Sequence, residues 1–220
     1  MFEYTFQWRP VLEVWPELAE GALVTIELTV VAMGLGTVLG MALAVGRTLR
    51  NPLGYALSSA WVETARNTPA LLQIYLAYFG LGALGVHVDP YTAVLGGLTF
   101  INAGYMAEIL RGGFAAVSPW QRSAALSLGM NRLQAYVYVI FPQVFRAVFW
   151  PSTNQLIYMM LGSSLGMIIG LRELTGVANY YQSLTFRTFE FFLAIAAIYY
   201  LIAKLMILLA RAAATRLFRY

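Results

Sequence analysis

Tracts of about twenty or more predominantly apolar residues recur along this 220-residue chain, and most of them end at arginine. They run from Ala22 to Gly46, Tyr55 to Leu81, Tyr91 to Leu110, Leu133 to Leu171 and Phe189 to Ala210. A run of that length crosses the roughly 30 Å hydrocarbon core as a helix, because lipid offers no partner for backbone N–H and C=O groups and the segment must satisfy its own. With 60% apolar and only 11% charged residues, the expected fold is all-α integral membrane, one transmembrane domain over residues 1–220 with five transmembrane helices. Eight of the 14 basic residues (Arg47, Arg50, Arg111, Arg122, Arg132, Arg211, Arg216 and Arg219) fall in or beside two inter-tract segments and the C-terminal stretch. The positive-inside rule then puts the N-terminus outside and the C-terminus in the cytoplasm. Four carboxylates at Glu3, Glu13, Glu17 and Glu20 argue against a cleavable signal, and with Trp8, Trp15, Pro10 and Pro16 they suit an outer interfacial segment over residues 1–21.

Polar residues inside the tracts mark where function or helix contact is expected. Gly36 and Gly40 form a small-x-x-x-small face, and Gly162, Gly166 and Gly170 a second. Glu63 and Arg66 share one helix face ahead of Pro69, which must break the second span; an ion pair beside a proline kink and a gate on the substrate path are both open readings. Asn102, Tyr105 and Glu108 lie on one stripe of the third span. Glu108 either pairs with Arg111 at the interface or faces the substrate path. The fourth tract is too long for one straight crossing; Pro142 and Pro151 break or kink it. The segment from Arg172 to Arg187 reads as an outer loop or surface helix.

Between the third and fourth spans lies a compact polar element. Ser118, Pro119 and Gln121 spell a capped helix start with an S-x-x-Q box, and Gly129 supplies a left-handed stop, giving a helix over 119–128. Asn131 reads as the cap of the next helix. No carboxylate occurs between residues 109 and 172, so this helix sits among arginines in the cytoplasm. A short helix so placed is a connecting turn or a docking surface.

Several chemistries are disfavoured. Gly162-Ser-Ser-Leu-Gly166 matches G-x-S-x-G, but an intramembrane serine hydrolase needs a base, and the single histidine, His87, falls in an outer loop. There is no phosphate-binding loop and the sole lysine is Lys204, no metal-ligand spacing, no cysteine, and no basic cluster interleaved with stacking aromatics for nucleic acid. A secondary transporter or channel is a further reading, disfavoured by the lack of an internal repeat and the scarcity of intramembrane carboxylates.

Gln121-Arg-Ser-Ala-Ala-Leu-Ser-Leu-Gly129, nine residues, then Val139-Ile-Phe-Pro142 resembles the E-A-A-x3-G-x9-I-x-L-P signature of permease subunits of bacterial ABC importers. Arg66-Asn-Thr-Pro69, Gly104-Tyr-Met-Ala-Glu-Ile-Leu-Arg-Gly-Gly113, Pro142-Gln-Val-Phe-Arg146 and Ser163-Ser-Leu165 are similar to motifs of the polar amino acid uptake branch. The resemblance implies an inner-membrane importer subunit working with a second permease copy or paralogue, two ATPase subunits that hold ATP and Mg, and an extracytoplasmic solute-binding protein. It makes 119–128 the coupling helix, with Pro119, Gln121, Ser123, Ala124, Ala125 and Gly129 at the ATPase contact. Arg66, Pro69 and Pro142 become structural or gating positions, and Glu108, Ser163 and Ser164 candidates for substrate, joined by Asn102 and Tyr105 from the shared stripe. Ser123 stands where the signature has Glu, and Leu161-Gly162 where the branch commonly has Lys-Asp. A paralogous partner that keeps the glutamate is the expected consequence of the first departure.

Overall fold

A computed structural model describes residues 4–48 and 51–218. Every regular element in it is helical: α1 (Arg9–Glu13), α2 (Trp15–Gly46), α3 (Pro52–Asn67), α4 (Ala70–Ala83), α5 (Pro90–Ala115), α6 (Pro119–Ser127), α7 (Arg132–Ile169), α8 (Leu174–Thr185) and α9 (Thr188–Leu217). Arg50 and Arg219, two of the arginines used above for orientation, and Glu3 lie outside the described residues. Prolines write most of the starts: Pro16, Pro52, Pro90 and Pro119 sit in the first turn of their helices, where a missing N–H costs nothing.

Among the described residues α2, α5 and α9 are each long and apolar enough to cross a membrane, and α7 with α8, bent by 43°, adds a fourth if the pair is one span. The second expected span is two helices. Thr68 and Pro69 are both extended (ψ 147° and 134°); the proline ring disfavours helical backbone at Thr68, and Pro69 then stands as the cap of α4. Gln73 repairs the break: its Nε2 donates to the carbonyls of Ala65 and Thr68, each at 3.2 Å, and to Thr68 Oγ1 at 2.6 Å.

The long fourth tract bends by different means at each proline. Ahead of Pro142 the helix widens into a π turn over Ala135–Ile140, which absorbs the crowding a proline ring imposes on the preceding turn. Pro151, by contrast, passes inside continuous helix and makes no break. The tract then tightens into a 3-10 segment, Ser163–Ile169, closed by Gly170 at φ +83°.

The hub is α5. Of its most apolar stretch 61% is buried, against 28% for α2 and 11% for α9, so α5 is enclosed by protein while α9 turns most of its surface outward. On α2, Gly36 and Gly40 face α5 so closely that a Cβ would stand 2.6 Å from Asn102 and 2.7 Å from Met106; only glycine admits this contact. Gly166 behaves similarly toward Val94 and Leu171, but Gly170 serves the left-handed turn and has open space around it, so the second small-residue face is shorter than its spacing suggested.

Three expectations change at the ends of the helices. The helix of the first span begins at Trp15 rather than Ala22, with Leu18 fully buried, so the last third of the interfacial segment belongs to that helix. The segment 172–187 is helix α8, whose Leu174, Val177 and Ala178 pack with Phe191 of α9. Finally, Glu63 is exposed and Arg66 turns to Glu108 of α5 instead of pairing with it.

Candidate functional site

Helix α6 leaves the bundle just past the end of α5 and returns through Asn131 into α7. Its side chains are exposed except Ala125. Trp120 and Leu128 are 81% and 82% exposed, a large apolar area for so short a helix. Between α6, the end of α5 and the π turn lies a cleft of 450 Å³ lined by Pro119, Ser123 and Leu126 together with Phe114 and Tyr136. Arg122 stacks over the Tyr136 ring at 5.8 Å.

The two ends of α6 are held differently. The Ser118 side chain makes no cap to the helix amides; the Ser118 carbonyl accepts from the Gln121 amide at 3.0 Å, and Gln121 Oε1 accepts from Gln143 of α7 at 2.9 Å, so the expected S-x-x-Q box does not form. At the exit Gly129 is left-handed (φ +85°), its N–H reaches Leu126 O (3.0 Å) and the Met130 N–H reaches Ala125 O (3.2 Å), the bond pair of a Schellman turn. The full capping box is at Asn131: its Oδ1 accepts from the Gln134 amide and Gln134 Oε1 from the Asn131 amide, both at 2.9 Å. Pro119, Gln121, Ser123 and Ala124 lie on the exposed surface of α6, Ala125 faces the protein, and Gly129 sets the exit angle.

About two helical turns before the end of α5, Glu108 gathers groups from the ends of α2 and α3 and from α5 itself. Arg47, at the end of α2, donates to Oε1; Arg111 donates to Oε2 through Nη2 (2.6 Å) and Nε (3.1 Å); Arg66 of α3 stands 3.6 Å from Oε2. Arg66 also lies 5.7 Å from the centre of the Tyr105 ring. The interface pairing of Glu108 with Arg111 is thus present, enlarged to three arginines.

The five residues assigned to substrate do not converge. Asn102 is fully buried and donates to the carbonyls of Ala32 (3.2 Å) and Met33 (3.1 Å), binding α5 to α2. Ser163, also fully buried, donates to Met160 O (2.8 Å), and Ser164 to Leu161 O (2.6 Å), both within their own helix. The 3-10 segment stands level with Leu98, which lies against Gly162, whereas Glu108 is ten residues further along α5, about 15 Å at helical rise. The ammonium and carboxylate of one amino acid are a single carbon apart and cannot reach both. Tyr105, half-buried beside Tyr158 at 6.0 Å, lies between. His87 is exposed in the loop before α5, and the Ser164 hydroxyl is bonded to Leu161 O rather than to a base.

A second polar cluster has no sequence signal. Glu173 is fully buried at the start of α8, where it accepts from the amides of Thr175 (2.9 Å) and Gly176 (2.7 Å), from Tyr199 Oη (2.8 Å) and from Thr25 Oγ1 (3.3 Å). It joins α2, α8 and α9. Glu190, likewise buried, accepts from the Tyr4 hydroxyl and from the Gln7 amide (2.8 Å), fastening the N-terminal segment to α9. At the head of α5, the hydroxyl and amide of Thr92 hold the Asp89 carboxyl below the usual range.

Residues 36–219 match the family model described as the binding-protein-dependent transport system inner membrane component. The chain belongs to this family. The permease is 31% identical over 204 residues to the glutamine transport system permease protein GlnP of Escherichia coli (strain K12), covering 92% of this chain and 93% of that one. It is 34% identical over 198 residues, 89% of each chain, to the probable amino-acid ABC transporter permease protein PatM of Vibrio harveyi. A crystal structure of an amino acid ABC transporter with histidines superposes with a TM-score of 0.90 at 32% identity, covering 97% of this chain and all of that one. The inward-facing methionine ABC transporter MetNI shares the fold, with a TM-score of 0.71 at 19% identity and coverage of 94% and 99%. Subunits of this family are transport components and not enzymes; ATP hydrolysis resides on separate ATPase subunits, and a solute-binding protein completes the importer.

Proposed function

We propose that this permease is one of two membrane subunits of an ATP-driven importer of polar amino acids or related small zwitterions, and that α6 is the element through which the ATPase moves it. The observation that carries this reading is α6 itself, a rigidly exited helix presenting Trp120 and Leu128 to nothing in its own chain, hung from the end of α5 beside the Glu108 cluster. A push on α6 reaches α2, α3 and α5 together through that carboxylate. Amino-acid cargo is supported by the relatives, which are named for amino-acid and glutamine transport. In this reading ATP and Mg stay on the ATPase, and Ser123, without the charge of a glutamate on the docking surface, pairs this chain with a paralogue that supplies it. Tyr105 and Ser164 are the assigned substrate residues still open to a passing solute, while Glu108, Asn102 and Ser163 hold helices. Arg66 and the Thr68–Pro69 break form the moving part beside Tyr105.

The chain crosses the inner membrane five times, N-terminus out, with α3 and α4 as one broken span and α8 re-entering from the outer side. Uptake of labelled L-glutamine or L-arginine by cells carrying this permease with its ATPase and binding protein is expected to vanish when the ATPase is omitted. Transport by the purified chain alone, driven by an ion gradient, contradicts the proposal.

A further inference from the structure

At the end of the molecule opposite α6, the first turns of α2, the start of α5 and the turn before α8 line a half-open cavity of about 310 Å³, with Glu20 at its exposed edge. Glu17 and Glu20, neighbours on one face of α2, line it with Arg172, Tyr91, Val24 and Leu171. Among the described residues neither carboxylate lies within 4.0 Å of a basic nitrogen, and Arg172 has no carboxylate that near. Glu17 Oε2 is buried with no hydrogen-bond partner, and Oε1 receives only a long contact, 3.4 Å, from the Tyr181 hydroxyl. Arg172 rests over the Tyr180 ring at 4.9 Å, and the Tyr91 hydroxyl is committed to Glu27 at 2.9 Å.

A buried carboxylate oxygen without a donor is unfavourable as it stands, and a ligand that brings a donor recovers that cost. Two carboxylates, and an arginine whose guanidinium rests on Tyr180 rather than on either of them, line a space at the small end of the range for ligand cavities, about 300–1,000 Å³. The arrangement complements a molecule carrying both charges, and its surplus negative charge complements a second cation. We propose that this cavity is an outer receiving site for a cationic amino acid, with the α-carboxylate on Arg172, the α-ammonium on Glu17 and the side-chain cation on Glu20. The proposal rests on the reading of the chain as an amino-acid permease, and adds a site separate from the Tyr105 region.

All the charged groups come from this chain, so the full-length permease in lipid nanodiscs serves for the test. Binding of L-arginine, of L-glutamate and of agmatine, which keeps the cation but lacks the carboxylate, is measured by equilibrium titration. L-arginine is expected to bind and L-glutamate not. Glu17→Gln and Glu20→Gln each weaken L-arginine about tenfold or more, as loss of a charged hydrogen bond predicts. Arg172→Gln weakens L-arginine and leaves agmatine unchanged. If Glu17→Gln unfolds, the pair Glu20→Asp and Glu20→Gln decides, with binding kept by the first and lost by the second. Absence of L-arginine binding, equal binding of L-glutamate, or wild-type affinity in the charge variants overturns the site. Uptake by the assembled importer separates the two readings: import with unaltered affinity in the variants removes only this site, whereas L-arginine binding without any amino-acid import removes the function.

Discussion

Gly129 holds φ +85° with no atom within 4 Å of where a Cβ would sit, so its requirement is conformational and not steric. A left-handed backbone costs an L-residue roughly 1–2 kcal/mol, and a β-branched one more. Gly129→Val is therefore expected to loosen the exit of α6 without disturbing its neighbours. ATP hydrolysed per substrate imported should rise severalfold while the chain inserts normally, and a coupling ratio equal to wild type would remove α6 from the transmission path. At this scale the sequence was legible wherever a residue acts on its own backbone: Gly129, Asn131 and Pro69 all do what their chemistry predicts. It was mute at Glu173, whose partners Thr25 and Tyr199 lie 148 and 26 residues away. The Ser118 cap failed for the same reason, since Gln121 found Gln143 across a helix boundary.

Helix α2 packs on α5 through Gly36 and Gly40, and in a membrane such a contact rests on close approach because lipid removes the usual hydrophobic drive. Gly36→Ala places a methyl 2.6 Å from Asn102 and is expected to cost about 1–3 kcal/mol as overpacking, read as a lower unfolding temperature in detergent. Gly34→Ala, two residues away with nothing within 4 Å, is the control, expected to lose no stability and to gain up to about 1 kcal/mol from helix propensity. Equal effects of the two would show that the contact does not carry the packing. Spacing foretold this face, whereas that of Gly170 was misleading, because i, i+4 periodicity assumes an α-helix and the chain there is 3-10 followed by a turn.

At the scale of the molecule, one carboxylate ties three helix ends to the base of the docking element. Glu108→Gln leaves Arg47, Arg66 and Arg111 facing one another; since all three reach water, the expected loss is about 1–2 kcal/mol, below that of a fully buried pair. Coupling should fall, with the affinity of the bound substrate unchanged; a selective loss of affinity would return Glu108 to the substrate path. Topology is testable directly, since the chain has no cysteine. His87→Cys and Ser127→Cys, both at exposed positions, are expected to react with a membrane-impermeant thiol reagent from opposite faces, the first from outside. Labelling from one face would reverse the proposed crossing pattern.

The apolar tracts, their arginine borders and the glycine and proline signals determine by themselves that the chain is a helical membrane protein with a short helix set apart between two long ones. Those features are local: a helix in lipid satisfies its own backbone, so its existence and ends depend on residues a few positions apart. Which polar groups meet depends on distance in space, and that only the tertiary structure decided. It drew Asn102 and Ser163 into helix contacts, surrounded Glu108 with arginines from three elements, and left Glu17, Glu20 and Arg172 lining one cavity with no ion pair among them.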